Sequence, residues 1–554
     1  MLWLLTASLA VALSNCDDGE WRQVRTVQGD VRGRKDPDGG LYAFYNIPYA
    51  TVPKGTDRFK APLPPPVWLQ PLDAVDEGII CLQSPTPFMD ISSKLMKEDC
   101  LIANIYVPDT EDKNLPVIVN VHGGGFEIGC GDIVKPKNLV RSKKVIVVNF
   151  NYRIGVHGFL CLGSKDVPGN AGLKDQVALL RWVNKNIANF GGNPDNVTIT
   201  GGSAGSISVH LLMLSKAAEG LFTKVIPESG ANVGSVSVQA NPLENAKVYA
   251  AMLNFTNVND FYALEEFYKS TPLKSLLMST FLDRKDSSML IAPCVERETG
   301  EERIIVDAPV NIIKNGKHKK VPILIGTTNM EALLLVPHLE KWKDIMNENF
   351  SDFLPGDLQF ENEQEKKAIG QKVKEFYFGD QPVGEKTVLS YIEYFSDVVF
   401  GYPTFRSVKL EVEAGHDQIY LYEYSFVDEN TPVVPHTNVK GATHCAQTSA
   451  ILDGVSFNAT DESTLSKEYK QMKSILRDMW GNFVVHGKPV LEGSSLPAWP
   501  AAGADGSPYM SLGQEVKLGG AYLEKRVQFW DSIYAKYYRS PVAPPEPPRK
   551  HVEL

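Results

Sequence analysis

The chain has 554 residues, of which 43% are hydrophobic and 22% are charged, so it can bury a large core, and disordered, collagenous and coiled-coil classes are excluded. The formal net charge of −10 offers no basic surface to a nucleic acid or an anionic membrane, and we expect neither as a partner. The length allows several domains, but no repeat or long linker interrupts residues 17–540, which predicts a single domain there.

The chain begins with an apolar run, residues 2–13, followed by a polar stretch that contains Cys16. We interpret residues 1–16 as a signal peptide, although the basic amino-terminal region is missing. No later apolar stretch reaches the length of about 18 residues that a membrane helix needs. We therefore expect a soluble protein of the secretory pathway without a membrane span.

The middle of the chain alternates short β-rich apolar runs with longer helical patterns. The helical pattern at 172–190 lies between two of the predicted strands, and this order implies right-handed crossovers. We predict an α/β protein with a large, mainly parallel central sheet flanked by helices, and a ligand site beyond the carboxyl ends of the strands. The predicted strands are residues 116–121, 145–149, 197–200, 322–326 and 418–424.

A serine follows the third predicted strand in the sequence Gly-Gly-Ser-Ala-Gly, residues 201–205, and an apolar helix is predicted after it. On such a sharp turn the serine backbone is strained, only small neighbours fit, and the hydroxyl projects at the head of the sheet. We predict Ser203 as a nucleophile. The competing interpretation, a glycine-rich turn with an incidental serine, is disfavoured by the strand and helix on the correct sides.

Three successive glycines follow the first predicted strand, in the sequence His-Gly-Gly-Gly-Phe at residues 122–126. We predict that the amides of Gly124, Gly125 and Ala204 stabilise a developing oxyanion. The loss of one such donor slows catalysis about 10²–10³-fold. A phosphate-binding loop is the alternative, but the Lys-Ser/Thr of such a loop is absent. Phe126 suits an apolar substrate and is predicted to contact it.

Further motifs run through the chain in a fixed order, among them Ile47-Pro48-Tyr49-Ala50, Glu98-Asp99-Cys100-Leu101, Asn151-Tyr152-Arg153, Glu228-Ser229-Gly230 and Leu496-Pro497-Ala498-Trp499-Pro500. With these motifs the chain resembles the type-B carboxylesterases of the carboxylesterase and cholinesterase family, more closely the insect members than the vertebrate ones. The resemblance covers most of the chain. It implies the α/β-hydrolase fold, ester hydrolysis by a Ser-Glu-His triad, and a disulfide bridge between Cys81 and Cys100.

The acid and the histidine should follow the serine in chain order. Glu331 lies just beyond the fourth predicted strand, although the family has glycine where Ala332 follows. His444 stands in the only Gly-x-x-His setting among the later histidines, beyond the fifth predicted strand, and His436 is the fallback. The family usually has an acidic residue where this chain has Gln447.

These residues predict an acyl-enzyme mechanism in which His444 takes the proton of Ser203 and Glu331 orients the imidazole. The mechanism requires no metal or organic cofactor, and no closely spaced His/Cys cluster suggests one. The resemblance also implies that Arg58 with Glu98, and Arg153 with Asp175, form buried ion pairs that brace the site.

Substrate class follows from two departures from the cholinesterases. Gly202 replaces the glutamate or glutamine that commonly precedes the nucleophile and is predicted to border the substrate. The loop between Cys81 and Cys100 holds no tryptophan, and Phe88 is its only aromatic residue, so a cation finds a poorer platform there. We expect small to medium uncharged carboxylic esters as substrates. Cholinesterase-like or lipase-like specificity and a non-catalytic binding member of the family are the alternatives.

The sequence also contains signals for glycosylation and for sorting within the secretory pathway. We predict glycosylation at the sequons of Asn254, Asn349 and Asn458. The Pro-rich tail, residues 541–554, ends in His-Val-Glu-Leu, which resembles a retention signal of the Lys/His-Asp-Glu-Leu type. We therefore expect the endoplasmic reticulum lumen, through a retention receptor, with secretion as the alternative. The sequence leaves the pairing of the remaining cysteines open: Cys130, Cys161, Cys294 and Cys445.

Overall fold

A computed structural model describes residues 20–86, 89–280, 282–454 and 462–549. The predicted signal peptide, Phe88, the sequon at Asn458 and the retention-like signal lie outside these residues. The strands within them are β1 (Trp21–Thr26), β2 (Gly29–Lys35), β3 (Leu41–Pro48), β4 (Leu72–Asp73), β5 (Ile79–Cys81), β6 (Leu95–Lys97), β7 (Ile102–Pro108), β8 (Leu115–Val121), β9 (Ile146–Phe150), β10 (Gly192–Gly202), β11 (Lys224–Glu228), β12 (Ile323–Thr328), β13 (Ile419–Tyr424), β14 (Tyr509–Leu512) and β15 (Val516–Gly519).

The α-helices of the described residues lie in the intervals between β8 and β14, and one more follows β15. A π-helical turn, Asp397–Gly401, joins the tenth helix to the eleventh. The α-helices of the described residues are α1 (Lys137–Lys143), α2 (Gly155–Phe159), α3 (Ala171–Asn186), α4 (Ala204–Leu212), α5 (Pro242–Met252), α6 (Phe261–Ser270), α7 (Pro309–Lys314), α8 (Leu339–Glu348), α9 (Glu363–Phe378), α10 (Val388–Ser396), α11 (Tyr402–Glu413), α12 (Ala446–Ile451), α13 (Lys467–His486) and α14 (Glu524–Tyr537).

Among the described residues, one sheet of 13 strands runs in the order β1-β2-β3-β7-β9-β8-β10-β11-β12-β13-β14-β15, with β4 beside β2. The run from β9 to β14 is parallel. The pairs β1-β2, β2-β3, β3-β7, β7-β9 and β14-β15 are antiparallel, and β4 pairs with β2 in parallel. This is the α/β-hydrolase architecture, and the prediction of a large, mainly parallel sheet flanked by helices is confirmed. No helix of the described residues is long and apolar enough to cross a membrane.

Both faces of the parallel strands are buried, which explains why these strands read as continuous apolar runs rather than alternating ones. In β12, Ile323 and Ile325 belong to the core cluster on one face, while Leu324 between them belongs to the cluster on the other. Because all the parallel strands point the same way, the loops after β8, β10, β12 and β13 emerge at one edge of the sheet. These four loops carry the predicted catalytic residues.

Candidate functional site

Ser203 occupies the turn between β10 and α4 with φ of 59° and ψ of −125°. This conformation is strained for a residue with a side chain, and its neighbours permit it because they are small. A Cβ at Gly201 would lie 2.5 Å from the carbonyl carbon of Gly205, and one at Gly205 would overlap the carbonyl oxygen of Val121. The amide of Ser203 donates to the carbonyl of Glu228 at 2.9 Å, which fixes the turn to β11.

His444 and Glu331 meet at this edge of the sheet. Nδ1 of His444 lies 2.5 Å from Oε2 of Glu331, and Oε1 of the same carboxylate accepts the amide of Thr328 at 2.7 Å. The Glu331 side chain is 1% exposed and that of His444 is 15% exposed. The carboxylate is therefore held at both oxygens, and it directs the other ring nitrogen of His444, Nε2, away from itself.

The loops that carry the acid and the histidine are fastened to each other. The amide of Met330 donates to the carbonyl of Ala442 at 3.2 Å, and the amide of Ala442 donates to Oδ1 of Asn329 at 3.0 Å. Ala332 has φ of −81°, a value that any residue adopts. The departure from the family glycine therefore imposes no backbone strain.

The environment of His444 favours its charged form. Burial alone would lower the pKa of the imidazole, but Cys445 and the carboxylate of Glu331 outweigh burial and raise the pKa above its ordinary value. A group of this kind readily takes up a proton during a reaction and holds it as a cation.

The glycine loop after β8 has three successive residues in the left-handed region: Gly124 at φ 108°, Gly125 at 59° and Phe126 at 63°. The amides of Glu127 and Ile128 both donate to the carbonyl of Gly124, at 3.1 and 3.0 Å. Within the described ranges, the amides of Gly124 and Gly125 donate to no backbone carbonyl. Ala204 begins α4, where helical geometry leaves the first amides free.

A cavity of about 250 Å³ lies between these loops, and Ser203, His444, Gly124 and Gly202 border it. Among the described residues, its wall carries no Asp, Glu, Lys or Arg side chain. The remaining residues of the wall are largely apolar or small, including Met89, Val121, Ile128, Ile133, Val134, Leu334, Cys445, Thr448, Ser449 and Leu452. The cavity thus combines a nucleophile and a base with a wall whose other described residues are mostly apolar or small.

Phe126 lies away from this cavity. Its side chain is 1% exposed and packs edge-to-face on Phe159, with ring centroids 5.0 Å apart. Its ring fills the core beneath the glycine loop, and its main chain continues the left-handed run. The structure therefore gives Phe126 a packing contact where the sequence suggested an apolar substrate contact.

Polar residues to which the sequence assigned no role in the site lie behind the histidine loop. Gln447 donates from Nε2 to the hydroxyl of Ser229 at 2.9 Å, which attaches α12 to the end of β11. Burial raises the pKa of Glu228 to about 8, although hydrogen bonds from Thr448 and Trp480 partly oppose this rise. The Glu-Ser-Gly motif at 228–230 was a signal for these residues, but their partners are remote in sequence.

Two disulfides join described cysteines. Cys81 and Cys100 are bridged, as the resemblance implied, and Cys161 and Cys294 form a second bridge that the sequence left open. Cys130 and Cys445 are free thiols. Among the described residues, no group of three or more His, Cys, Asp or Glu side chains is arranged to hold a metal ion.

The sequon asparagines differ in their surroundings. Asn254 is exposed, whereas Nδ2 of Asn349 donates to Oδ1 of Asp352 at 2.9 Å. Asn196 begins a further Asn-x-Thr sequence, and its side chain accepts a hydrogen bond from Nζ of Lys224. A carbohydrate therefore meets least hindrance at Asn254.

Comparison with known proteins gives a consistent assignment. Residues 20–530 match the model of the carboxylesterase family. The chain is 32% identical over 475 residues to esterase FE4 of Myzus persicae, covering 82% of each chain, and 32% identical over 524 residues to juvenile hormone esterase of Heliothis virescens, covering 89% of this chain and 92% of the relative.

Solved structures agree with these relatives. Juvenile hormone esterase from Manduca sexta, with OTFP covalently attached, has a TM-score of 0.81 and 30% identity, covering 93% of this chain and all of that one. A PNB esterase has a TM-score of 0.71 and 29% identity, covering 92% of this chain and 99% of its own. Both the fold and the family thus extend over nearly the whole described chain.

Proposed function

The chain belongs to the carboxylesterase family and is a serine carboxylester hydrolase, and we propose that Ser203 is its nucleophile, His444 its general base and Glu331 the acid that orients the base. The observation that carries this proposal is the hydrogen bond of 2.5 Å between His444 and Glu331 beside the cavity that Ser203 also borders. The strained φ of Ser203 supports the nucleophile assignment.

The reaction proceeds in two halves. Nε2 of His444 takes the proton of the Ser203 hydroxyl while Oγ bonds to the ester carbonyl carbon, and Glu331 stabilises the imidazolium. The amides of Gly124, Gly125 and Ala204 donate to the oxyanion of the tetrahedral intermediate. The imidazolium then protonates the leaving alcohol, and water repeats the sequence on the acyl-enzyme to release the carboxylic acid.

We propose uncharged carboxylic esters as the substrate class. The described wall of the cavity supports this, because it carries no Asp or Glu side chain, and a cationic ester would lose its hydration without gaining an anionic partner there. Gly202 lies at this wall, and a Cβ in its place would be 3.1 Å from Sγ of Cys445 and 3.3 Å from Oγ1 of Thr448. A side chain at position 202 would therefore crowd both of these residues at the wall of the cavity.

The test is Ser203→Ala beside the surface variant Ser532→Ala, whose hydroxyl lies on the exposed side of α14. We expect Ser203→Ala to lose turnover of a nitrophenyl ester while keeping its melting temperature, with about 10³–10⁴-fold catalysis over water remaining. A reactive organophosphate should phosphorylate the wild-type protein at Ser203, located by peptide mapping. A label on another residue, or full activity of Ser203→Ala, would refute the assignment.

We also propose one domain over residues 17–540, supported by the 13-stranded sheet that runs from β1 to β15, and a secretory route, supported by the two disulfides and by the exposed Asn254. Retention in the endoplasmic reticulum lumen, through a receptor that binds the His-Val-Glu-Leu tail, is the finer proposal. Secretion of a variant that lacks residues 551–554, beside retention of the full chain, would test it.

A further inference from the structure

The π-helical turn between α10 and α11 has a local cause in the sequence. Pro403, in the first turn of α11, has no amide hydrogen to donate to the carbonyl four residues earlier. The amide of Tyr402 instead donates to the carbonyl of Asp397, five residues earlier. Wider turns of this kind occur often at functional sites. This turn and the residue before it contact His444 and the residue that follows Glu331.

The first contact is at the acid. Ser396, which precedes the turn, accepts the amide of Ala332 on its Oγ at 2.9 Å. Ala332 directly follows Glu331, so this bond fixes the main chain that carries the carboxylate. Ser396 is buried, and water is therefore a poor substitute for its hydroxyl.

The second contact is at the base. The ring of Phe400 lies against the imidazole of His444, with centroids 4.5 Å apart and planes inclined by 40°. Phe400 is 6% exposed. An aromatic face at such a distance attracts a cation, so this ring stabilises the imidazolium more than the neutral imidazole.

The far side of the turn is anchored. Asp397 accepts the hydroxyl of Tyr377 at 2.7 Å and Nη1 of Arg526 at 2.9 Å. Trp530 donates to the same tyrosine hydroxyl at 2.7 Å. Helices α9 and α14 thus hold the turn in place, and it presents Ser396 and Phe400 to the site from a rigid support.

We propose that Ser396 and Phe400 are positioning residues for the hydrolysis, Ser396 through the backbone of Glu331 and Phe400 through the orientation and charge of the His444 ring. This inference rests on the proposed function of His444 and Glu331. Neither Ser396 nor Phe400 belongs to the wall of the cavity, so their effect appears in the chemical step rather than in substrate binding.

The pH profile depends on the pKa of His444 and therefore on the titratable groups that surround its ring. Glu331 faces the ring from the loop after β12, and Cys445 faces it from the start of α12. Glu228, at the end of β11, lies behind Thr448 of α12. Phe400 is the uncharged neighbour from the π-helical turn, and its substitution changes no formal charge in this set.

The experiment compares Phe400→Leu with Phe400→Tyr, which keeps an aromatic ring, and with the control Phe376→Leu on the exposed side of α9, where Phe376 is 40% exposed. For Phe400→Leu we expect kcat to fall about tenfold with KM unchanged, and the acid limb of the kcat/KM profile to move to lower pH by about half a unit to one unit. Phe400→Tyr should keep the kcat and the pH profile of the wild-type protein, and Phe376→Leu should change neither.

Ser396 is tested with Ser396→Ala against Ser396→Thr, which retains the hydroxyl that accepts the amide of Ala332. We expect the alanine variant to lose kcat about tenfold at constant KM, and the threonine variant to recover most of it. Melting temperatures identify variants that fail to fold.

The inference would be overturned if the acid limb of Phe400→Leu is unshifted, or if the leucine and tyrosine variants lose kcat equally. Phe400 would then have only a packing role. The proposed function is judged separately on the wild-type protein, by organophosphate labelling of Ser203. If that label is found and the profiles do not move, only the inference about the π-helical turn fails.

Discussion

Arg153 and Asp175 are joined by two parallel hydrogen bonds, Nε to Oδ2 at 2.8 Å and Nη2 to Oδ1 at 2.7 Å, with both side chains almost fully buried. The amide of Arg153 also donates to Oδ2, and Nη1 donates to the carbonyl of Arg58 at 3.0 Å. The pair therefore fixes the loop after β9 to the start of α3, as the resemblance implied.

Asp175→Asn should lower the free energy of unfolding by about 3–5 kcal/mol, because it leaves the guanidinium of Arg153 charged and buried without its counterion. The control is Asp112→Asn, which breaks the exposed pair of Lys144 and Asp112 and should cost less than about 1 kcal/mol. Denaturant unfolding followed by fluorescence measures both. Equal losses in the two variants would contradict a special role for the buried pair.

The second predicted pair does not form. Nη2 of Arg58 donates to the carbonyls of Tyr268 and Thr271, and Glu98 acts on Arg58 only through its charge at longer range. Arg58 thus connects its loop to the end of α6. A family motif indicates which residues belong together but does not distinguish a carboxylate from a carbonyl as the partner of an arginine.

The pH profile provides the next prediction. His444 must be neutral to accept the proton of Ser203, and its pKa is raised by Cys445 and Glu331 against the effect of burial. Activity should therefore be full at alkaline pH and fall on acidification, with a midpoint above the unperturbed value of about 6.5. Initial rates of a neutral ester between pH 5 and 10 measure it. A flat profile down to pH 5 would argue against His444 as the base.

Glu331→Gln tests the charge of the acid directly. Its Oε1 can still accept the amide of Thr328, but its other atom then carries hydrogens that oppose the N–H at Nδ1 of His444. We expect kcat to fall about 10³–10⁴-fold with the fold retained. A loss of less than tenfold would mean that the carboxylate does not orient the imidazole.

Much of the site could be predicted because the signals for the strands and for the catalytic loops lie within short stretches of sequence. The strand predicted at 322–326 is β12, Ile323–Thr328, and the strand predicted at 418–424 is β13, Ile419–Tyr424. Apolar β-branched runs fix these elements, and loops at strand ends carry the polar residues. The helix predicted at 172–190 ends earlier, at Asn186, and continues as a 3₁₀ turn to Phe190 before Gly191.

The rest depends on contacts between distant segments, which no local pattern records. The bridge between Cys161 and Cys294 spans a sequence separation of 133, and neither residue stands in a distinctive motif. Phe400 and Ser396 likewise look like ordinary residues of an apolar helix. Only the folded sheet brings the turn that carries them against the loops after β12 and β13.

Gly124→Ala should remove most of the activity. A Cβ at this position would overlap the carbonyl oxygen of Ile128, and φ of 108° is strained for alanine. The amides that stabilise the oxyanion would therefore move, and we expect kcat to fall about 10²–10³-fold. Gly300→Ala is the control, because Gly300 has a similar φ of 93° with no atom within 4 Å of the added carbon. Comparable losses in both variants would indicate backbone strain rather than a displaced oxyanion site.

Choline esters should be poor substrates. The described wall of the cavity has no carboxylate and no Trp, Tyr or Phe ring, so a quaternary ammonium would be desolvated without the aromatic face that is worth roughly 0.5–2 kcal/mol. Butyrylcholine and its uncharged isostere 3,3-dimethylbutyl butyrate isolate the charge, since they match in shape. We expect the neutral ester to have the higher kcat/KM, and a value for the cationic ester more than tenfold above that of the isostere would refute the proposed substrate class.

The same comparison in two variants of Gly202 tests whether position 202 determines the discrimination between cationic and neutral esters. Gly202→Glu and Gly202→Gln add side chains of equal size next to Cys445 and Thr448, and both should slow hydrolysis by filling the cavity. Only the glutamate adds a negative charge inside a poorly hydrated space, where a cation at about 4 Å is attracted far more strongly than in water. The ratio of cationic to neutral ester turnover should therefore rise in Gly202→Glu relative to Gly202→Gln. If the two ratios are equal, the charged end of the ester does not approach position 202, and the specificity of this esterase is set elsewhere in the cavity.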